Sequence, residues 1–397
     1  MIERNEYLNQ IRPLVGKHII KVFTGVRRSG KSTLLKLIIK ELKNNGVDEN
    51  NIILIDFDSV EALRFSDITQ VSDYIQDSTK NVDGKIYLFF DEVQRITQWE
   101  RLVNAYFNDE NYDVYVTGSN SKLLSGEFAT YLTGRYVEIK VYPFSFKEYL
   151  EYYKDSNLNQ KELFNQYIEN GGMPSSFQLE NKMQYLDDLT SSIINKDILQ
   201  RFNVKNTDLL NNLFAFLLSN IGNLFSANSI HDFLKGKKIK VSINTIYNYL
   251  DYLQEACLIY QVKRYDVVGK TLLNHLEKYY VVDHGIRESI FNRNMVDIGQ
   301  ILENIVYFEL LRRGYKVNVG IINKNEIDFV VSKNKEVKYI QVTYILSDED
   351  VVKREFGNLL NIGDNYPKYV ISMDEIDMSR MGVKHLNIID FLLSDEF

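Results

Sequence analysis

One octapeptide constrains this chain more than any other stretch: "GVRRSGKS" at residues 25–32. It matches G-x-x-x-x-G-K-[ST], in which glycines let the backbone curl until its N–H groups converge on phosphate oxygens. The flanks have the form that such a loop needs. "IIKVFTG" (19–25) is a β-branched run ending in Gly, and "KSTLLKLIIKELK" (31–43) places apolar residues at 34, 35, 38, 39 and 42, the spacing of one helical face. A strand, a glycine turn and a helix N-terminus make an anion cradle, because the first helical turn has unbonded N–H donors and the positive end of the dipole. The motif assigns Gly25, Val26, Arg27, Arg28, Ser29, Gly30, Lys31, Ser32 and Thr33 to nucleotide contact. Lys31 would reach the β/γ-phosphates of ATP, and the Ser32 hydroxyl would hold Mg²⁺.

Further strand-like runs follow: "NIILIDF" (51–57), "KIYLFFDE" (85–92), "YDVYVTGS" (112–119) and "RYVEIKVY" (135–142). Strands alternating with helices argue for a parallel α/β sheet. Asp91 and Glu92 emerge at the C-terminal end of a buried strand, where ligands gather in open α/β sheets. Beside a phosphate loop, Asp91 is expected to bind Mg²⁺ through water, and Glu92 to orient and deprotonate the attacking water.

After Pro143 the pattern changes. Residues 144–200 read as helices interrupted by "ENGGMPSSF" (169–177). Residues 205–275 read as three helices and two short strands, with Asn228 or Ser229 capping "IHDFLKG" and Ser242 capping "INTIYNYLDYLQEA". The remainder, 281–397, is mixed α/β and includes an expected amphipathic helix over 298–314, closed by Gly314.

Composition limits the alternatives. The 397 residues allow two to four domains, at roughly 100–200 residues each. Apolar runs such as "IYLFF" and "LFAFLL" fall far short of the ~18 residues of a membrane span, and "MIERNEYLNQ" has no apolar signal core. The single cysteine, Cys257, can form neither an internal disulfide nor a CxxC zinc cluster. A cytoplasmic protein without membrane contact is expected. With a net charge of −7, nucleic acid would have to be bound by local patches.

Residues 19–146 resemble the AAA-type ATPase module of a large prokaryotic family, through "TGVRRSGKSTLL", "FFDEVQ", "WERLVNAYF", "VTGSNSKLL", "LTGRYVEI" and "YPFSFKEYL". The resemblance implies a γ-phosphate sensor at Thr117 or Ser119, with Asn120 close behind. It also implies an arginine finger at Arg135, supplied by this chain or a neighbour, and a homo-oligomer.

Residues 205–275 resemble a winged helix-turn-helix. They hold eight Lys/Arg against five Asp/Glu, with the basic residues clustered in "KGKKIK" (235–240) and at 263–264. That suits phosphate contact with non-specific DNA. On the third helix Ile246, Leu250, Leu253 and Cys257 are expected inside, and Asn244, Thr245, Asn248 and Asp251 outside. Without Arg or Lys there for guanine, protein packing is the competing use.

The last part, through "LENIVYFELLRRGY", "NEIDFVV", "YIQVTY" and "REFGNLL", resembles the nuclease-like domain that follows this ATPase in the same family, with the PD-(D/E)XK fold. In an active member a helix Glu, a strand Asp and a Glu-x-Lys pair hold Mg²⁺ and activate water. Glu303 matches the helix acid and Asp328 the strand Asp. Gln341 and Thr343 stand where Glu and Lys should be, so a degenerate site is expected. Glu326 lies two residues before Asp328, on the same strand face, and could replace the lost carboxylate. Lys353 or Arg354 could replace the lost cation, whereas Lys338 faces the other way.

The expected organisation is an α/β chain: a P-loop AAA-type parallel core (1–145), a helical lid (146–204), a winged helix (205–280) and a nuclease-like α/β domain (281–397). Three functions compete: a DNA-associated ATPase or switch, an ATP-regulated nuclease, and a nucleotide-gated scaffold for a protein partner.

Overall fold

The computed structural model describes residues 2–120, 132, 134–291, 298–323, 325–395 and 397. Residues 121–124 of "VTGSNSKLL" and Thr133 of "LTGRYVEI" lie outside that set. The chain forms two compact units, Met1–Pro143 with Glu255–Cys257, and Phe144–Gln254 with Leu258–Phe397. No helix among the described residues is long and apolar enough to cross a membrane.

The first unit is built on five parallel strands, β1 (Ile20–Thr24), β2 (Ile52–Asp56), β3 (Ile86–Asp91), β4 (Tyr112–Gly118) and β5 (Tyr136–Lys140), in the order β2-β3-β4-β1-β5. Successive residues of a strand face opposite sides, and both sides are covered. Val22, Phe90 and Val116 pack against Val71 and Ile75 of α3 (Ile68–Thr79) and Leu102 and Val103 of α4 (Trp99–Phe107). Phe23, Phe89 and Tyr115 pack against Leu8 and Ile11 of α1 (Asn5–Ile11) and Leu34 and Ile38 of α2 (Lys31–Asn44). Two-sided burial explains why the inner strands β1, β3 and β4 are buried along almost their whole length rather than in alternation. Lys21 is tolerated in the middle of β1 because its ammonium pairs with buried Asp113 on β4 and donates to the carbonyl of Lys17 at 3.0 Å. The order matters for the site, since β4 lies between β1 and β3.

The second unit begins with helices α5 (Phe146–Tyr152), α6 (Gln160–Asn170) and α7 (Lys182–Ile193). The first two start on reciprocal capping boxes, Ser145 with Glu148 and Asn159 with Glu162. Then come α8 (Thr207–Ser219), α9 (Ala227–Gly236), α10 (Ile243–Glu255), β6 (Ile259–Asp266) and β7 (Thr271–Val281). Ser242 caps α10 as expected, its hydroxyl accepting from Thr245 N at 3.1 Å. The cap of α9 is Ser226, not Asn228 or Ser229. Ser229 occupies the third helical position and closes a capping box with Ser226, so the helix starts earlier than apolar spacing suggests.

The strands expected as a wing do more than pair with each other. β6 also runs parallel to β8 (Lys316–Ile322), with Arg264 opposite Val319. They therefore belong to a seven-stranded mixed sheet, β12-β11-β10-β9-β8-β6-β7, with β9 (Asn325–Lys333), β10 (Glu336–Val342), β11 (Lys368–Ser372) and β12 (Val383–Asn387). Helices α11 (His284–Phe291) and α12 (Ile298–Arg312) precede β8, α13 (Glu349–Leu360) follows β10, and α14 (Ile388–Leu393) ends the chain. The expected amphipathic helix is a correction: Ile301 through Leu310 of α12 are all buried, including Glu303, Asn304 and Glu309. Its polar residues face partners inside the fold rather than water.

Candidate functional site

The loop between β1 and α2 curls at the C-terminal edge of the first sheet. Gly25 has φ +148°, and a Cβ there would lie 2.2 Å from the carbonyl oxygen of Val141, so no side chain fits. Gly30, at φ +99°, is the N-cap of α2. The Lys31 ammonium folds back onto the carbonyls of Gly25 (3.0 Å) and Val26 (3.1 Å) and lies 3.8 Å from a Glu92 carboxylate oxygen. Within the loop Ser29 is buried, Arg27 half-buried, and Arg28 exposed at φ +68°; Thr33, in the helix, is exposed.

Register brings the remaining groups to the same edge. Phe23 pairs with Thr117, and Phe90 with Val116, so the ends of β1, β4 and β3 are level. The Thr117 hydroxyl donates to Asp91 and accepts the Glu92 amide at 2.9 Å. Gln94 donates to Glu92 at 2.5 Å and to the Ser119 hydroxyl at 3.3 Å. Burial pushes the Asp91 carboxyl up, with the Thr117 and Ser32 hydroxyls opposing. Burial also acts to raise Glu92, but the Lys31 ammonium, Gln94 and Arg27 outweigh it and hold Glu92 below the usual carboxylate range. The structure thus brings together Lys31, Ser32, Asp91, Glu92, Thr117 and Ser119.

Arg135 is not brought there. It precedes β5, whose Tyr136 pairs with Ile20 at the opposite end of β1, and its guanidinium donates to Asn104 of α4 at 2.9 Å. Five residues of strand, roughly 16 Å, separate it from the loop of its own chain. Two residues went unnoticed in the sequence. Gln94 is one. The other is Arg4, 1% exposed, which donates to the carbonyls of Ser29 (2.9 Å) and Tyr142 (2.8 Å) and so fastens the underside of the loop. No local pattern marked Arg4, which follows Glu3 in a short charged lead-in to α1.

The donor set suits ATP and Mg²⁺. A glycine that admits no Cβ leaves room for close backbone approach, and a hydroxyl beside a carboxylate offers the hard oxygens that Mg²⁺ prefers.

A second polar cluster lies within the second unit. The ammonium of Lys278 on β7, with a side chain 1% exposed, lies 2.9 Å from Glu303, 2.6 Å from Glu326 and 3.5 Å from Asp328. Tyr280 donates to Glu303 at 2.6 Å. Asn304 of α12 bonds both backbone groups of Val281 at 3.0 Å, which fixes β7 beside the helix. Gln341 accepts from Asp328 N at 2.7 Å and donates to Glu355 at 2.9 Å, and Glu355 also accepts two bonds from Arg354. Thr343, just past β10, is buried, its amide donating to Ile371. Glu303, Glu326, Asp328 and Gln341 do share one region. The expected substitute cations differ. Lys353 is exposed and paired with Glu349, Arg354 reaches the region only through Glu355, and Lys338 bonds Tyr315 elsewhere. The cation present is Lys278, whose only sequence signal was its place in the strand alternation Lys278, Tyr280, Val282.

An AAA domain model matches residues 17–150, and a domain of unknown function matches residues 161–297. The chain is 38% identical over 399 residues to an uncharacterized protein of Haemophilus influenzae, covering 99% of both chains. It is 33% identical over 350 residues to an uncharacterized protein of Methanocaldococcus jannaschii, covering 83% of this chain and 75% of the relative. Among solved structures, AMPPCP-bound DnaA from Aquifex aeolicus is similar at TM-score 0.31 and 16% identity over 63% of this chain and 86% of that one, a likeness too distant to carry weight.

Proposed function

We propose that the chain, which belongs to the family of these two relatives and carries an AAA domain over residues 17–150, is a Mg²⁺-dependent ATPase that couples ATP binding and hydrolysis to a conformational or assembly change. The observation that supports this most is the convergence of Lys31, Ser32, Asp91 and Glu92 on one sheet edge. The loop amides and Lys31 bind the β/γ-phosphates of ATP, Lys31 exchanging the carbonyls of Gly25 and Val26 for phosphate oxygens. Ser32 and Asp91 hold Mg²⁺, which supplies charge neutralisation on the phosphoryl group. Glu92, held ionised by Lys31 and positioned by Gln94, accepts the proton of the attacking water. Thr117 ties Asp91 to the Glu92 backbone and with Ser119 reports the γ-phosphate to β4. An arginine finger at Arg135 would have to come from a neighbouring copy in a homo-oligomer.

For the coupled partner, non-specific DNA is supported by exposed Lys235, Lys237, Lys238, Lys240 and Lys263 flanking α10. A protein partner is favoured by α10 itself, whose outer face carries Ile243 (39% exposed), Tyr247 (49% exposed) and Asp251 and no cation. The test is steady-state ATP hydrolysis with and without single- and double-stranded DNA, at low and moderate salt, with Lys31→Ala as control. Turnover that survives Lys31→Ala overturns the ATPase assignment. DNA stimulation that fades with salt selects DNA, and indifference to DNA selects the protein partner.

A further inference from the structure

We propose that Lys278 is the built-in cation of the carboxylate cluster in the second unit, standing where a divalent metal would stand, so that this sheet folds and works without a metal ion. The geometry carries the proposal. Three acids converge from two elements, Glu303 from α12 and Glu326 and Asp328 from β9. The point they converge on is the Lys278 nitrogen, within 2.6–3.5 Å of all three. A metal served by the same oxygens would sit at about 2.0–2.6 Å from them, in contact with the ammonium. Two cations cannot share that volume.

The surroundings keep the lysine in place. β7 holds its backbone by pairing Lys278 with Val262, and Asn304 pins the strand to α12. Tyr280, two residues on and on the same strand face, bonds Glu303. Gly222, at φ +74°, backs Glu303 so closely that a Cβ there would lie 2.9 Å from its carboxylate oxygen. Asp328 is also held from the next strand, accepting the Val342 amide at 2.8 Å. Gln341, where a metal site would need a carboxylate, is engaged as an amide, accepting from Asp328 N and donating to Glu355.

The test counts Mn²⁺ bound per chain in the full-length protein with a saturating non-hydrolysable ATP analogue, by electron paramagnetic resonance. The wild type is expected to hold one ion, at the nucleotide, and Lys278→Arg the same. Lys278→Ala is expected to gain one further ion, lost again when Asp328→Asn is added. The difference between Lys278→Ala and wild type is the readout, so a failure of nucleotide binding lowers both counts and leaves the comparison intact. A second ion on the wild type that Asp328→Asn removes overturns the proposal, as does a folded Lys278→Ala that gains none. Should Lys278→Ala not fold, the wild-type and Lys278→Arg counts decide.

Discussion

The Arg4 guanidinium donates to the carbonyl of Ser29 at 2.9 Å, so a residue of the N-terminal segment holds the underside of the phosphate loop. Its second bond, to Tyr142 at 2.8 Å, ties the same loop to the chain leaving β5. Arg4→Ala leaves both carbonyls unmatched in the interior. The expected cost is about 3 kcal/mol of stability, at ~1–3 kcal/mol per unsatisfied buried group, together with weaker ATP binding. Chemical denaturation and nucleotide titration check it. Unchanged affinity in a folded variant would show that the loop keeps its shape unaided.

Glu92 is the group whose removal should separate binding from chemistry. Glu92→Gln keeps the side-chain volume and the neighbourhood of Gln94 but cannot accept a proton from water. Turnover is expected to fall about 10²–10⁴-fold, with ATP still bound. Comparable turnover in the variant would move the base elsewhere.

Gln341 bridges Asp328 and Glu355, accepting from the Asp328 backbone N–H and donating to the Glu355 carboxylate, a donation that an ionised carboxylate cannot make. Gln341→Glu restores the carboxylate expected in a nuclease but sets it against Glu355. The expected loss is about 1–3 kcal/mol, recovered in part by adding Glu355→Gln, because the amide donor then sits on the other partner. Thermal melts of the single and double variants give the coupling. Additive losses would mean that the two side chains do not act as a pair.

The carboxylate cluster should make stability depend on pH. Burial pushes Glu303 up to about 8, with Lys278 opposing and Asp328 adding, and burial likewise raises Glu326. An acid raised on folding binds its proton more tightly in the folded state. Its stabilising contribution is therefore full below the unfolded pKa and is lost as pH rises through the folded one. Burial acts to lower Lys278, but Glu303, Asp328 and Glu326 outweigh it and hold it above its usual value, so its contribution is constant here. Tm is expected to fall from about pH 5 to about pH 8, less steeply in Glu303→Gln. Some slope remains in that variant, because Asp91, Asp283 and Glu355 are also raised by burial. A slope identical to wild type would remove Glu303 from the account.

The sequence by itself determined the phosphate loop, the acidic strand end and the alternation of strands and helices in the first unit, because these are local. A glycine turn, a helical period and a buried apolar run are all written within some ten residues. It also determined the inward face of the third helix, where Ile246, Leu250 and Leu253 are buried. Only the tertiary structure decided what long-range pairing controls. The position of β4 between β1 and β3 joins Thr117 to Asp91, while parallel register carries Arg135 to the far end of its strand. The second sheet takes in the two strands expected as a wing, and so delivers Lys278 to acids 25 and 50 residues further along. No local pattern encodes that meeting. It depends on which strands hydrogen-bond across the sheet and on a buried helix whose polar residues find their partners only after folding.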